Sequence, residues 1–190
     1  MKAVTLITSS HRNGYTKEIV DRFTIGLEDD DGSNEVLFLD DYNIKYCTGC
    51  EACKNGGGCV LDDDYNKIID KIRDADYFIF TAPIFYNDLA GQSKMFLDRL
   101  GSLTYDPELE MKGKLTLLML THFSRAINPF VIENAHRGLV SGNFKVNKIV
   151  DIGGLLDKKF DEYELEEFED MAYDFLEYEV IPHKLDLDSA

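Results

Sequence analysis

The sequence predicts an α/β protein of one domain over residues 1–190: a five-stranded parallel sheet with helices on both faces, three layers in all. Three observations carry this. Strand-like and helix-like segments alternate along the chain. The strand-like segments are near-continuous apolar runs, as expected of strands buried on both faces. The helix-like segments are apolar on one side only, as helices covering a sheet must be.

The elements follow in order. Residues 2–8 (KAVTLIT) make a first short strand. Ile19, Val20, Phe23 and Leu27 then recur at helical spacing in a helix that begins near Thr16. EVLFL, residues 35–39, is the second strand. Asp62 and Asp63 offer caps for a second helix whose inner face is Tyr65, Ile68, Ile69 and Ile72. DYFIFTA, residues 76–82, is a third strand that Pro83 is expected to stop. Leu89, Ser93, Phe96, Leu97 and Leu100 mark a third helix. KLTLLMLT (114–121) is the fourth strand, and a helix opens at Asn128-Pro129 and runs toward Gly138. KVNKIVDI (145–152) is the fifth strand. The last helix, over 160–180, sets Leu165, Phe168, Ala172, Phe175 and Leu176 against its acids.

Charge and hydropathy narrow the function. A net charge of −16 argues against nucleic acid, which needs a basic stripe. No apolar run is long enough to span a membrane. The N-terminal run is too short for a signal peptide and leads into polar SSHRNG, so it reads as a buried strand of a cytoplasmic protein. Residues 157–190 hold 13 acidic and 3 basic side chains, which is −10 of the −16. That segment is either a solvated helix face or a docking surface for a basic redox partner.

In such sheets ligands bind outside the carboxyl ends of the strands, so the loops after the first, third and fourth strands matter most. The first, SSHRNGYT, offers polar groups at Ser9, Ser10, Asn13, Tyr15 and Thr16, a donor fork at Arg12 and close approach at Gly14. With the free N–H groups of a helix start, these suit an anionic phosphate. After the third strand, Pro83, Ile84, Phe85 and Tyr86 place large apolar groups at the sheet mouth, suited to a flat aromatic ligand. Backbone N–H groups from Phe85 through Asn87 to Asp88 would serve its polar edge. His122 stands at the end of the fourth strand, within reach of the same ligand.

These loops resemble those of the flavodoxin-like NAD(P)H-dependent FMN reductases. Ser10, Arg12 and Thr16 match that family's phosphate loop; Pro83, Ile84, Phe85, Lys94, Phe96, Asp98 and Arg99 match the segment that carries its isoalloxazine. The resemblance covers roughly residues 1–155. It implies a sheet of order 2-1-3-4-5, bound FMN, and NAD(P)H or a reduced ferredoxin as donor. The loop THFSRAIN departs from the family, whose corresponding loop is glycine-rich.

All four cysteines fall in CTGCEACKNGGGC, where Cys47, Cys50, Cys53 and Cys59 read C-x2-C-x2-C-x5-C. This is similar to the motif of the iron–sulfur flavoproteins, a subgroup of the same family that carries a 4Fe–4S cluster beside FMN. Thiolates are the usual ligands of such clusters, and two-residue gaps let one loop wrap three corners. A zinc site and uncoordinated thiols remain open, although zinc sites usually pair two CxxC halves across a longer spacer. The resemblance further implies a homodimer or homotetramer; the apolar Ile84, Phe85 and Tyr86 at the sheet mouth and the position of the cysteine loop predict a contact that includes Tyr86 and segment 47–60, the alternative being a monomer whose acidic helix covers the patch.

The leading expectation is thus an FMN-dependent oxidoreductase passing electrons from a small-molecule or protein donor to an acceptor, with no side chain demanded as a catalyst. The alternatives are a cluster-free quinone or flavin reductase, and a non-enzymatic thiol or metal sensor on the same fold.

Overall fold

A computed structural model describes residues 1–29, 31–106, 111 and 114–177. In chain order the main elements are β1 (Lys2–Ile7), α1 (Tyr15–Asp29), β2 (Ser33–Phe38), α2 (Tyr65–Arg73), β3 (Tyr77–Phe85), β4 (Asp88–Leu89), α3 (Gly91–Leu100), β5 (Leu115–Thr121), α4 (Pro129–Ser141), β6 (Lys145–Ile152) and α5 (Glu162–Glu177). Five parallel strands lie in the order β2-β1-β3-β5-β6, which is 2-1-3-4-5 once the two-residue β4 is set aside. β4 makes a sixth strand, antiparallel to the end of β3.

Strand alternation decides which layer each residue joins. Ile7, Ile79, Leu117 and Met119 face α1 and α5, meeting Ile19, Val20 and Phe23 from one helix and Leu165, Phe168 and Phe175 from the other. Their sequence neighbours Leu6, Phe78, Phe80, Leu118 and Leu120 face α2, α3 and α4. There Ile68, Ile72, Phe96 and Leu139 close the second core. Phe80 stacks on Phe96 with ring centroids 6.0 Å apart. Truncating such a ring to Ala costs about 3–5 kcal/mol.

Three local expectations need correction. β3 does not stop at Pro83 but runs through it to Phe85. β1 has ended there, since its last partner on β3 is Thr81, and the Pro83 carbonyl accepts from Ala90 N at 3.1 Å. No ladder donor is therefore missed, and the proline is tolerated. The N-cap position of α2 is Asp64, whose side chain makes no capping bond, and not Asp62 or Asp63; of those two, the Asp63 carboxylate does accept from Tyr65 N at 3.0 Å. α4 continues past Gly138 to Ser141. Its start is as expected: Pro129 is the first helical residue, and the Asn128 side chain accepts from Phe130 N. Of the acidic segment, residues 178–190 lie outside the described ones. Among the described residues no helix is long and apolar enough to cross a membrane.

Candidate functional site

A cleft of about 200 Å³ opens at the carboxyl ends of β1, β3 and β5. The topology creates it: β1 leads to α1 on one face of the sheet, whereas β3 and β5 lead to helices on the other. Ser9, Gly14, Tyr15 and Thr16 wall it from the first loop, Pro83, Ile84 and Phe85 from β3, and His122 from the end of β5. The structure adds four residues to those expected: His11, Thr121, Phe123 and Leu155. Thr121 was legible as the last residue of an apolar strand; Leu155 was not, because it arrives from beyond β6.

The first loop is short of internal partners. The backbone N–H groups of Ser10, Arg12, Asn13, Tyr15 and Thr16 make no hydrogen bond to any described residue. His11 N is tied to Ser9 Oγ at 3.3 Å, and Gly14 O accepts from Lys17 N at 3.0 Å to start α1. Unpaired donors beside the positive end of a helix make an anion site. Thr16 is buried, with Oγ1 2.9 Å from Thr121 Oγ1, so a hydroxyl pair lies across the cleft floor.

The remaining expected residues are placed elsewhere. Arg12 is committed to Asp41, donating Nη1–H at 3.1 Å, and its guanidinium sits 4.4 Å above the Phe38 ring. The hydrogen bond from Arg12 holds the Asp41 carboxyl below its usual value. Asn13 lines a shallow depression on the outer flank of α1 with Lys17 and Asp21. Ser10 lines neither cavity and is exposed. Asp88 turns its carboxylate onto its neighbour Leu89 N at 2.8 Å. Tyr86 and Asn87 form the β3–β4 turn with φ of 50° and 64°, and line a recess of about 350 Å³ continuous with the cleft. Ile84, Phe85, His122 and Phe123 belong to both spaces.

His122 is buried at their junction. Its Nε2 lies 2.7 Å from Asp151 Oδ1 on β6, and its Nδ1 is buried with no partner among the described residues. The loop after β5 contains no glycine, but Gly153 and Gly154 follow β6 and pack against it. A Cβ at Gly153 would lie 2.3 Å from His122 Cε1 and 2.8 Å from Ser124 O.

The cysteines line a second cavity, of about 210 Å³, with Asp98, Arg99 and Tyr105. Cys47 and Cys50 are exposed, Cys53 and Cys59 half-buried, and all four are free thiols. Hydrogen bonding from Ala52 N–H, reinforced by the Thr48 hydroxyl, holds the Cys50 thiol below its usual pKa. The sulfurs share one cavity but do not converge: among the described residues no three His, Cys, Asp or Glu stand together at metal-binding geometry. The donor set nonetheless fits an iron–sulfur group, with four thiols on one loop and Arg99 Nη2 3.2 Å from Cys59 Sγ. Gly56, Gly57 and Gly58, with φ of 84°, 83° and 75°, give the loop the freedom to close.

α3 separates the two sites. It starts beside β4, which pairs with Ile84 and Phe85, and ends at Asp98 and Arg99 in the cysteine cavity. Ten helical residues span about 15 Å.

A doubly wound parallel sheet with a cleft at its switch point defines a flavodoxin-like protein. The chain belongs to the NADPH-dependent FMN reductase family, whose sequence profile matches residues 1–146. It is 32% identical over 114 residues to an iron-sulfur flavoprotein of Archaeoglobus fulgidus, covering 60% of this chain and 51% of that protein. It is 29% identical over 112 residues to an iron-sulfur flavoprotein of Methanocaldococcus jannaschii, covering 59% and 58%. The chain thus spans little more than half the length of these relatives. Among solved structures it is similar to a flavone reductase, with TM-score 0.73 and 18% identity over 92% of this chain and 62% of that one. It is also similar to an NAD(P)H:quinone oxidoreductase from Methanothermobacter marburgensis, with TM-score 0.70 and 16% identity over 96% and 99%.

Proposed function

We propose that the protein is an FMN-dependent oxidoreductase of the iron–sulfur flavoprotein type. FMN would sit in the cleft between β1, β3 and β5, and an iron–sulfur group on the four cysteines. The carrying observation is the pairing, in one cleft, of the unpaired main-chain N–H groups of Tyr15 and Thr16 with an apolar wall. That combination suits a ligand with an anionic tail and a flat ring. The loop from Ser10 to Thr16 would hold the phosphate, with the Thr16 and Thr121 hydroxyls beneath it. Ile84 and Phe85 would lie against the ring, and the buried face of His122 would exclude water from its edge.

Bound FMN would supply the hydride- and electron-transfer chemistry between a reduced nicotinamide and an acceptor. The chain's part is to bind, orient and shield. Tyr15 is fixed for this by its hydroxyl, which donates to Lys158 O at 2.9 Å, and by edge contacts with Phe123 and Phe160. The recess lined by Tyr86, Asn87 and Phe123 would admit a planar donor or acceptor. Four free thiols suit the reducing cytoplasm.

Fluorescence titration of the apoprotein with FMN and with riboflavin tests the reading. FMN should bind at least roughly a hundredfold more tightly, since only its phosphate reaches the unpaired donors. Equal affinities would remove the first loop from the site.

A further inference from the structure

We propose that Arg99 is a positioning residue of the cysteine site: its guanidinium fixes Cys59 as the corner on which the other thiols close, and its buried charge stabilises the reduced state of the group bound there. This rests on the iron–sulfur reading above.

The Arg99 side chain has no exposed surface, and neither has that of its ion-pair partner Asp63. One arm, Nη1, donates to Lys45 O at 3.1 Å and to the Asp63 carboxylate. The other arm, Nη2, donates to Cys59 Sγ at 3.2 Å. The guanidinium lies 4.2 Å from the Tyr65 ring centroid, and the Tyr65 hydroxyl donates to Arg99 O at 3.0 Å. Asp63 is itself fixed by Lys45 N at 2.8 Å. Lys45 lies just before the first cysteine and Cys59 is the last, so one buried side chain clamps both ends of the loop. Among the described residues Arg99 is also the only arginine lining the cavity.

A purely structural clamp is complete with Asp63 and Lys45. The second arm reaches instead for a sulfur, and that sulfur belongs to the cysteine packed against the core. Hydrogen bonds to cluster sulfurs and nearby charge are the protein's levers on cluster potential. In the titration below, one electron from dithionite enters the bound group and adds one negative charge beside the guanidinium. No bond or proton of Arg99 changes. In a buried setting that added attraction favours the reduced form.

The test uses the full chain, purified anaerobically with iron and sulfide bound, as wild type, Arg99→Lys and Arg99→Met. Potentials come from dithionite titration followed by EPR. Arg99→Met should disfavour reduction by tenfold or more, which is about 59 mV for a one-electron couple. Arg99→Lys keeps the charge but not the fork, and should recover part of that loss. Where the variants fail to fold, the wild type decides: with [15N]arginine, the reduced protein should show nitrogen coupling in pulsed EPR. Absence of that coupling, or unchanged reduction equilibria in both variants, overturns the proposal and leaves the iron–sulfur reading standing. A wild type that holds no iron and sulfide overturns that reading, and the proposal with it.

Discussion

His122 Nε2 lies 2.7 Å from Asp151 Oδ1, which ties the end of β5 to the end of β6 at the back of the cleft. Gly153 leaves the ring its room. Gly153→Ala would press a methyl carbon to within 2.3 Å of His122 Cε1. Overpacking of this kind costs about 1–3 kcal/mol. Urea unfolding should show that loss, and FMN affinity should fall with it because the displaced imidazole enters the cleft. A variant as stable as wild type with unchanged affinity would mean that the β6 loop yields freely.

The phosphate loop is tested by Ser9→Asp. Ser9 lines the cleft and already accepts a hydrogen bond from His11 N, a role an aspartate fills equally well. The fold should survive, but a negative charge now faces the anion. At a few ångströms and an effective dielectric near 20 the repulsion is about 3 kcal/mol, roughly a hundredfold in FMN affinity. Riboflavin binding should change far less. Equal losses for both ligands would point to a distorted loop.

Much of this was legible in the sequence because it is periodic. The apolar faces of α1, α2 and α5 repeat at helical spacing, and Asn128-Pro129 announces α4 by local chemistry. What escaped was non-local. Arg12 reads as a free fork until Asp41, 29 residues away, takes it. Arg99 reads only as part of the segment that resembles the isoalloxazine-carrying one, yet among the described residues it is the largest fully buried side chain and it faces the cysteines. The β3–β4 turn carries no glycine; Tyr86 and Asn87 adopt positive φ under tertiary constraint, so Pro83 looked like an end. The glycines that meet the β5 loop follow β6, and only the fold brings Gly153 to His122.

Acid should weaken the Arg99–Asp63 clamp. Burial pushes the Asp63 carboxyl up, but the Arg99 hydrogen bond and the N–H groups of Lys45 and Tyr65 outweigh it and hold the carboxyl below its usual value. A depressed folded pKa contributes stability that is present above the unfolded value, near pH ~4, and lost as pH falls through the folded one. Asp63→Asn leaves the guanidinium unpaired and should cost about 3–5 kcal/mol at pH 7. Unfolding free energies measured from pH 7 to 3 should show that gap narrowing below about pH 4. A constant gap would contradict the assignment.

We infer a homodimer from exposed apolar residues near the two ends of α3. Phe85, Tyr86 and Phe123 lie exposed at the cleft mouth, and Val60 lies exposed beside the cysteines. In a two-fold dimer a contact of one set with the other on the partner would occur twice. Light scattering at micromolar concentration should give at least a dimer mass, and Tyr86→Lys should shift it toward monomer. A monomeric wild type contradicts this reading.

Cys50→Ala should remove bound iron and leave FMN and the fold in place, because among the described residues the cysteine cavity and the cleft share no lining residue. The most direct measurement of the whole account is made on the unaltered chain, produced and purified without oxygen. Its visible spectrum, with FMN, iron and sulfide assayed on the same sample, should show two flavin bands, about one FMN per chain, and a broad absorption that bleaches on reduction. Protein that is colourless as purified, and whose spectrum and fluorescence ignore added FMN, would contradict it.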